Sequence, residues 1–79
     1  MSGQSAGVVK RSVTIGGHRT SISLEAPFHA ELERIAAERT TSLSTLIATI
    51  DADRDPQTNL SSAIRLFVLA DLKARPALA

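Results

Sequence analysis

A chain of 79 residues can hold at most one small domain, and its core is marginal because short chains bury a smaller share of their surface. It has no cysteine, which excludes disulfides, thiolate metal sites and cysteine nucleophiles. The net charge of +1 is unevenly distributed: residues 1–24 carry three basic residues and no acid, whereas residues 25–79 carry six basic and eight acidic residues. A positive field at one end of a chain is expected where an element faces a polyanion, although basic arms that are merely solvated are also common.

The N-terminal third predicts a short tail and a β-hairpin. The small polar residues 1–7 are typical of a flexible tail. Residues 8–24, "VVKRSVTIGGHRTSISL", alternate apolar and polar side chains on both sides of a Gly-Gly pair, which is typical of a hairpin because glycine readily adopts the positive φ of tight turns. We predict strands at about 10–15 and 18–24, although the first segment also fits a flexible arm.

The predicted hairpin has two different faces. Its register pairs Ile15 with His18, Val13 with Thr20 and Arg11 with Ile22. One face then carries Val13, Ile15, Thr20, Ile22 and Leu24, and the other carries Lys10, Ser12, Thr14, Arg19, Ser21 and Ser23. The second face consists of short polar side chains and basic side chains, and such a surface suits close approach to another molecule.

Two amphipathic helices are predicted after the hairpin, at about 27–38 and 42–52. Pro27 fits the first turn of the first helix, where its missing N–H has no consequence. The apolar stripes are Phe28, Leu32, Ile35 and Ala36 in the first helix and Leu43, Leu46, Ile47 and Ile50 in the second. The β-branched pair Thr40-Thr41 interrupts the pattern, Ser42 is a good N-cap, and aspartates followed by Pro56 end the second helix.

A third helix at about 60–74, capped by Asn59 or Ser61, is apolar nearly all round. Such a helix must be buried on several sides, and the rest of the chain offers little to bury it, so we predict a homodimer with a shared core. The alternative is that the helix packs on its own chain and leaves ordinary apolar surface exposed. The predicted dimer core is Ile22, Leu24, Leu46, Ile47, Ile50, Ile64, Phe67 and Val68.

No catalytic, metal or cofactor site is predicted. His18 at the turn and His29, expected on the surface of the first helix, are not accompanied by a serine elbow or a ligand cluster. Both phenylalanines lie in apolar stripes, so we expect no stacking of bases on aromatic platforms. The stretch "LFVLADL" is too short to span a bilayer. The N-terminal residues do not show the basic region followed by an apolar region that is typical of a signal peptide. We expect a soluble cytoplasmic protein that is not an enzyme and does not bind a membrane.

The segment "RTSISLEAPFHAELERIAAERTTSLSTLIATI", residues 19–50, combines an alternating strand, an amphipathic helix, a short break and a second amphipathic helix that begins at a serine. This order resembles the ribbon-helix-helix superfamily of bacterial DNA-binding proteins, the Arc and MetJ type. The lead-in "KRSVTIGGHRTS" and the ending "NLSSAIRLFVLA" are similar to a subgroup with an added N-terminal strand and third helix. The resemblance implies a mostly helical α+β fold, a ribbon-helix-helix dimer with a short β-ribbon, as a single domain over residues 8–75.

The resemblance also implies a binding mechanism. In such proteins two strands, one from each chain, pair antiparallel and enter the DNA major groove, which admits a two-stranded ribbon. Arg19, Ser21 and Ser23 would contact base edges, and Arg19 would supply most of the discrimination because arginine makes paired hydrogen bonds to guanine. The N-terminus of the second helix and the start of the first strand would contact phosphates. The implied phosphate contacts are Ser42, Leu43, Ser44, Lys10 and Arg11.

The implied function is that of a sequence-specific transcriptional regulator, a repressor that binds double-stranded DNA as a homodimer. Because this face of the strand has few basic side chains to neutralise phosphates, we expect weak binding by one dimer and assembly on tandem sites. The alternative is a dimeric protein-interaction module or an antitoxin-type protein that binds a protein partner. The family often has glycine at the break where this chain has Thr40, so we expect the first helix to end in a different shape.

Overall fold

The computed structural model describes residues 7–75, which form a two-stranded β-hairpin followed by three helices. The elements are β1 (Val8–Ile15), β2 (His18–Glu25), α1 (Ala26–Glu38), α2 (Leu43–Asp53) and α3 (Leu60–Ala74). The mostly helical α+β class is confirmed, and the first segment is a strand that begins two residues before its predicted start. The predicted tail, residues 1–7, lies outside the described residues except for Gly7.

The hairpin turns at two glycines. Gly16 and Gly17 have φ of +55° and +83°, which are the values of a type I′ turn, whose twist matches that of the flanking strands. A two-residue loop leaves one register, and the observed pairs are those predicted from Ile15 opposite His18 onward. The inner face of β2 packs on the helices through Ile22 and Leu24, whereas β1 packs there only through the half-buried Val13 and Ile15.

The first helix ends in a Schellman motif, the double hydrogen bond that often closes a helix C-terminus. The Thr41 N–H donates to Ala36 O at 2.9 Å, and the Thr40 N–H donates to Ala37 O at 3.1 Å. Thr40 has φ of +54°, the left-handed conformation that the motif requires. The expectation of a differently shaped helix end was therefore wrong. The end has the shape that glycine gives it, with a β-branched residue held in a conformation that is unfavourable for it.

Side-chain caps start the next two helices. Ser42 Oγ accepts from the Thr45 N–H at 3.0 Å, and Asn59 Oδ1 accepts from the Ser62 N–H at 2.9 Å, so Asn59 rather than Ser61 caps α3. Each cap satisfies a backbone donor that the first helical turn leaves free. Arg54 joins the end of α2 to the loop before α3. Its guanidinium donates to Asp51 at 2.7 Å and to Thr58 O at 2.8 Å.

One hydrophobic core joins the inner face of the hairpin to all three helices. Its buried apolar members are Ile22, Leu24, Leu32, Ile35, Ala36, Leu46, Ile47, Ile50, Ile64 and Val68. His29 is also buried, with its Nδ1 3.6 Å from Glu33 Oε1, and its expected place on the helix surface was wrong. It lies three residues before Leu32, which puts it on the same side of α1 as the apolar stripe.

Candidate nucleic-acid interface

The candidate site is the solvent-facing side of the hairpin, which we call the ribbon face. It consists of the side chains of Lys10, Ser12, Thr14, Arg19, Ser21 and Ser23. The strand pairing places Lys10 opposite Ser23, Ser12 opposite Ser21 and Thr14 opposite Arg19. All six are exposed except Ser23, which is half-buried. Because side chains alternate between the two faces of a strand, two basic side chains and four hydroxyl groups lie on one open surface, and no acidic side chain lies among them.

The cations of the hairpin are not neutralised by the rest of the described chain. Lys10, Arg11 and Arg19 are exposed, and within residues 7–75 none of them forms an ion pair with a carboxylate. Arg11 lies opposite Ile22 on the inner side of the sheet, at a part of β1 that the core does not cover. Three unpaired positive charges therefore lie on one strand pair.

Most arginines of the helical part form ion pairs with carboxylates of the same chain. Arg34 donates to Glu31 at 2.8 Å and to Asp71 at 3.1 Å, which ties α1 to α3. Arg75 donates to the same Asp71 carboxylate and to Glu38. These hydrogen bonds from Arg75 and Arg34 hold the pKa values of Glu38 and Asp71 below their usual range. Such pairs offset the charge of these arginines locally, whereas the three hairpin cations have no carboxylate within ion-pair distance among residues 7–75.

Two residues of α3, Ser61 and Arg65, form hydrogen bonds with the end of β2. The Ser23 N–H donates to Ser61 Oγ at 3.1 Å, and Arg65 donates to Glu25 at 2.9 Å. The Arg65 hydrogen bond lowers the pKa of the Glu25 carboxyl. These contacts explain why Ser23 is only half-exposed. Sequence reasoning did not find them, because they join residues about 40 positions apart and no local pattern indicates them.

The N-terminus of α2 is the second place where phosphate contacts were predicted. Ser42 and Ser44 are exposed, and Leu43 is half-buried. Ser42 Oγ also donates to Thr45 Oγ1 at 2.8 Å, so this hydroxyl is engaged in the cap. Within residues 7–75 the N–H groups of Leu43 and Ser44 have no acceptor, as expected for a helix end that faces solvent. The helix start can therefore offer two backbone donors to an anion, in the positive half of the helix dipole.

The residues predicted to form a dimer core are already in contact within one chain. Phe67 is half-buried and lies beneath Arg39, whose guanidinium carbon is 5.2 Å from the ring centre. The other seven residues are buried at 5% exposure or less: Ile22, Leu24, Leu46, Ile47, Ile50, Ile64 and Val68. The large apolar side chains that remain exposed are different ones, namely Val8, Val9, Leu66, Leu69 and Leu72. Whether the buried set is also shared with a second chain stays a prediction.

Neither metal-ligand clusters nor spanning helices occur in the described part of the chain. No group of three or more histidine, aspartate or glutamate side chains between residues 7 and 75 is arranged to hold a metal ion. None of the three helices is both long and apolar enough to cross a membrane.

The comparisons with known proteins agree with the geometry of the hairpin and helices. A model of the ribbon-helix-helix domain family matches residues 8–72, which include both strands, α1, α2 and most of α3. A comparison with curated proteins and one with solved structures each gave no match. The match covers far more than half of the chain and begins at the first residue of β1. The chain therefore belongs to the ribbon-helix-helix domain family, whose fold is that of DNA-binding regulators.

Proposed function

We propose that this protein is a sequence-specific transcriptional regulator, acting as a repressor, that inserts its β-ribbon into the major groove of double-stranded DNA. The observation that carries the proposal is the separation of charge: the hairpin cations are unpaired, whereas Arg34, Arg54, Arg65 and Arg75 are bound to carboxylates. A surface of free cations and hydroxyls suits phosphate oxygens and base edges. As a regulator of bacterial genes the protein would act in the cytoplasm.

The ribbon face supports a division of roles among its side chains. Arg19 is the one arginine on it, and its planar guanidinium can make paired hydrogen bonds to guanine, so it would supply most of the base discrimination. Ser21 and Ser23 would add single hydrogen bonds, with Ser23 restricted by its contact with α3. Lys10 and Arg11, farther from the turn, would contact phosphates. The open start of α2 at Ser42, Leu43 and Ser44 would hold a further phosphate.

The small number of free cations favours a homodimer. One chain offers three unpaired charges on its hairpin, and affinity for DNA depends strongly on how many phosphates are neutralised. Two chains offer six, and further copies on tandem sites would multiply the contacts again. The leucines that α3 leaves exposed are consistent with a partner chain, because a small domain gains stability by covering them.

A second candidate is a protein-interaction module, in the manner of an antitoxin that binds a protein partner. It is favoured by the exposed side of α3, where Leu66, Leu69 and Leu72 are 44–60% exposed. Leu66 also lines an open cleft of about 320 Å³ between α3 and the end of α2, together with Ile50, Ala63 and Phe67. An apolar helix side next to a cleft can hold an amphipathic segment of another protein. The two candidates use different side chains, those of the ribbon face and the exposed leucines of α3, so they can be tested separately.

The first test is a fluorescence-anisotropy titration of the protein against a pool of random-sequence duplexes at two salt concentrations. Arg19→Ala is compared with Lys73→Ala, a matched control that removes an exposed charge from α3. We expect salt-dependent binding whose affinity Arg19→Ala lowers several-fold and whose salt slope it reduces by about one, whereas Lys73→Ala leaves both nearly unchanged. Equal losses in the two variants, or no binding at low salt by a folded protein, would contradict the DNA proposal and favour the protein-interaction module.

A further inference from the structure

An apolar cleft opens between the end of α2 and the first turns of α3. Its volume is about 320 Å³, and its apolar lining consists of Ile50, Ala63, Leu66 and Phe67. Ile50 is buried and Phe67 is half-buried, but Leu66 is 60% exposed at the edge of the cleft. Leu69, which is 49% exposed, lies three residues farther along α3 and is therefore a neighbour of Leu66 on the helix surface. The cleft and the two leucines form one apolar surface that the described chain leaves in water.

The polar rim of this cleft carries negative charge that the described residues do not neutralise. Asp53 and Asp55 line the cleft and are exposed, and neither forms an ion pair in the described part of the chain. Arg54 also lines the cleft, but its guanidinium is paired with Asp51 at 2.7 Å. Asp55 Oδ1 accepts a hydrogen bond from the Gln57 N–H, which leaves the charge of the carboxylate in place. The rim therefore keeps two uncompensated carboxylates.

The apolar lining and the acidic rim together decide the chemistry of an occupant. We call this surface the acidic cleft, and its members are Ile50, Asp53, Asp55, Ala63, Leu66 and Phe67. Nucleic acid is disfavoured there, because its phosphates would meet the like charges of the two aspartates. A purely polar segment is disfavoured as well, since it would leave the leucine side chains in water. A segment that combines apolar side chains with basic ones satisfies both parts of the surface.

The exposed leucines alone would also suit a second copy of this chain, and the two acids decide between the occupants. None of the three described helices carries two unpaired basic residues that could face both acids, because the arginines within α1 and α3 are paired with carboxylates. The hairpin has such residues in Lys10 and Arg11, next to the exposed Val8 and Val9. In the proposed function those two bases contact phosphates, so a copy bound to DNA could not place them at the cleft. A different protein is therefore the better occupant.

We propose that the acidic cleft docks an amphipathic helix of another protein, one that carries an apolar stripe with lysines or arginines beside it. Apolar side chains one turn apart on that helix would fill the cleft and cover Leu69, and its basic side chains would lie against Asp53 and Asp55. The proposal deepens the protein-interaction candidate and rests on it, since it names the shape and the charge of the partner. It uses no side chain of the ribbon face, so it does not depend on the DNA proposal.

Two synthetic peptides test the chemistry of the partner. Both are fluorescently labelled amphipathic helices of about 15 residues with the same leucine stripe, and they differ only in having lysines or glutamates beside it. Each peptide is titrated against the full chain without DNA and followed by fluorescence anisotropy at low and high salt. We expect the lysine peptide to bind about tenfold more tightly than the glutamate peptide at low salt, and the difference to shrink as salt screens the carboxylates.

Matched variants locate the binding on the molecule. Leu66→Ala should weaken binding of the lysine peptide several-fold, whereas Val8→Ala, a truncation at a similarly exposed apolar residue of β1, should not. Asp53→Asn should reduce the preference for lysine over glutamate, and Glu33→Gln, which removes an exposed acid from α1, should retain it. Arg19→Ala should bind the peptide as the native protein does, which keeps this test separate from the DNA titration.

Each remaining outcome overturns a stated part of the proposal. Equal affinity for the two peptides, with Leu66→Ala still weakening both, would overturn the basic charge of the partner and keep the protein-interaction module. Equal losses in Leu66→Ala and Val8→Ala, or no binding of either peptide at low salt by a folded protein, would overturn the docking site itself. If sedimentation shows that Leu66→Ala lowers the assembly state of the protein, a second copy covers the cleft and the proposal is wrong. The titration with Arg19→Ala still decides the DNA proposal on its own.

Discussion

The hairpin and the helical part use the same type of residue, arginine, for opposite purposes. In the helical part, Arg34 bridges Glu31 and Asp71 and thereby fastens α1 to α3. On the hairpin, Arg19 has no partner among the described residues and extends from an exposed strand. An arginine that is paired contributes to the fold but little to the outer field, whereas an unpaired one remains available for an anion. Changes in the helices should therefore act on stability, and changes on the ribbon face should act on binding.

The largest effect is expected from a core residue of α1. Leu32 is fully buried, and Leu32→Ala should lower the free energy of unfolding by about 2–5 kcal/mol because it removes apolar contacts and leaves a cavity. A domain of this length has a total stability of roughly 4–12 kcal/mol, so the variant should unfold at much lower denaturant concentration. Urea unfolding followed by circular dichroism measures the change. Ala30→Gly, at an exposed position of the same helix, is the control and should lose only about 1 kcal/mol. Similar losses in both variants would contradict the packing described for α1.

The next effect should appear in binding and not in stability. Lys10→Ala removes an unpaired cation from the ribbon face, so the slope of log affinity against log salt should fall by about one for each phosphate that the variant no longer neutralises. Lys73→Ala on α3 removes the same charge from the helical part and should leave the slope unchanged. The melting temperature should be the same for both variants, as neither lysine forms an ion pair within residues 7–75. A fall in slope with Lys73→Ala equal to that with Lys10→Ala would show that DNA does not distinguish the two regions.

A smaller effect, in the direction of greater stability, is expected at the end of α1. Thr40 has φ of +54°, and its two flanking hydrogen bonds are made by backbone groups that any residue supplies. Thr40→Gly should therefore keep the Schellman motif, remove the conformational strain and raise stability by up to about 1 kcal/mol. Thermal unfolding measures the change. Thr41→Gly, at the next residue, where φ is not positive, should destabilise and serves as the control. A loss of stability with Thr40→Gly would mean that the threonine side chain makes a contact that outweighs the strain.

The parts of this molecule that were predictable from sequence are the ones that local chemistry decides. The Gly16-Gly17 loop determines the register of the hairpin, and through it the composition of the ribbon face. The Ser42 cap is a hydrogen bond to a residue three positions along the chain, so the start of α2 could also be predicted from the sequence. The contacts of Ser61 and Arg65 with the end of β2 depend on how α3 folds back over the chain, and no periodicity or motif encodes that. The position of His29 was predicted wrongly because its polar side chain suggested the surface, although its spacing of three residues from Leu32 puts it on the side of the apolar stripe.

The carboxylates that pair with arginines of the helices predict a pH dependence of stability, and the unpaired cations of the ribbon face should not contribute to it. Arg65 lowers the pKa of Glu25, Arg75 lowers that of Glu38, and Arg34 lowers that of Asp71, from ordinary values of 4.5, 4.5 and 3.8. A carboxyl whose pKa is lower in the folded state stabilises the fold above its unfolded pKa and loses that contribution as the pH falls through its folded pKa. Stability should therefore be level above about pH 5 and decline progressively below about pH 4.5.

The variant that tests this link is Asp71→Asn. It keeps a hydrogen-bond acceptor for Arg34 and Arg75 but removes the titrating group, so its stability should be lower at neutral pH and should fall less steeply in acid than that of the native protein. Urea midpoints measured from pH 3 to pH 7 give both curves, with Asp53→Asn, an exposed acid outside these pairs, as the control. Parallel curves for Asp71→Asn and the native protein would mean that the α1–α3 ion pairs do not cause the acid sensitivity. Convergence of the two curves at low pH, with Asp53→Asn following the native protein, would show that the ion pairs of Asp71 between α1 and α3 cause the loss of stability in acid.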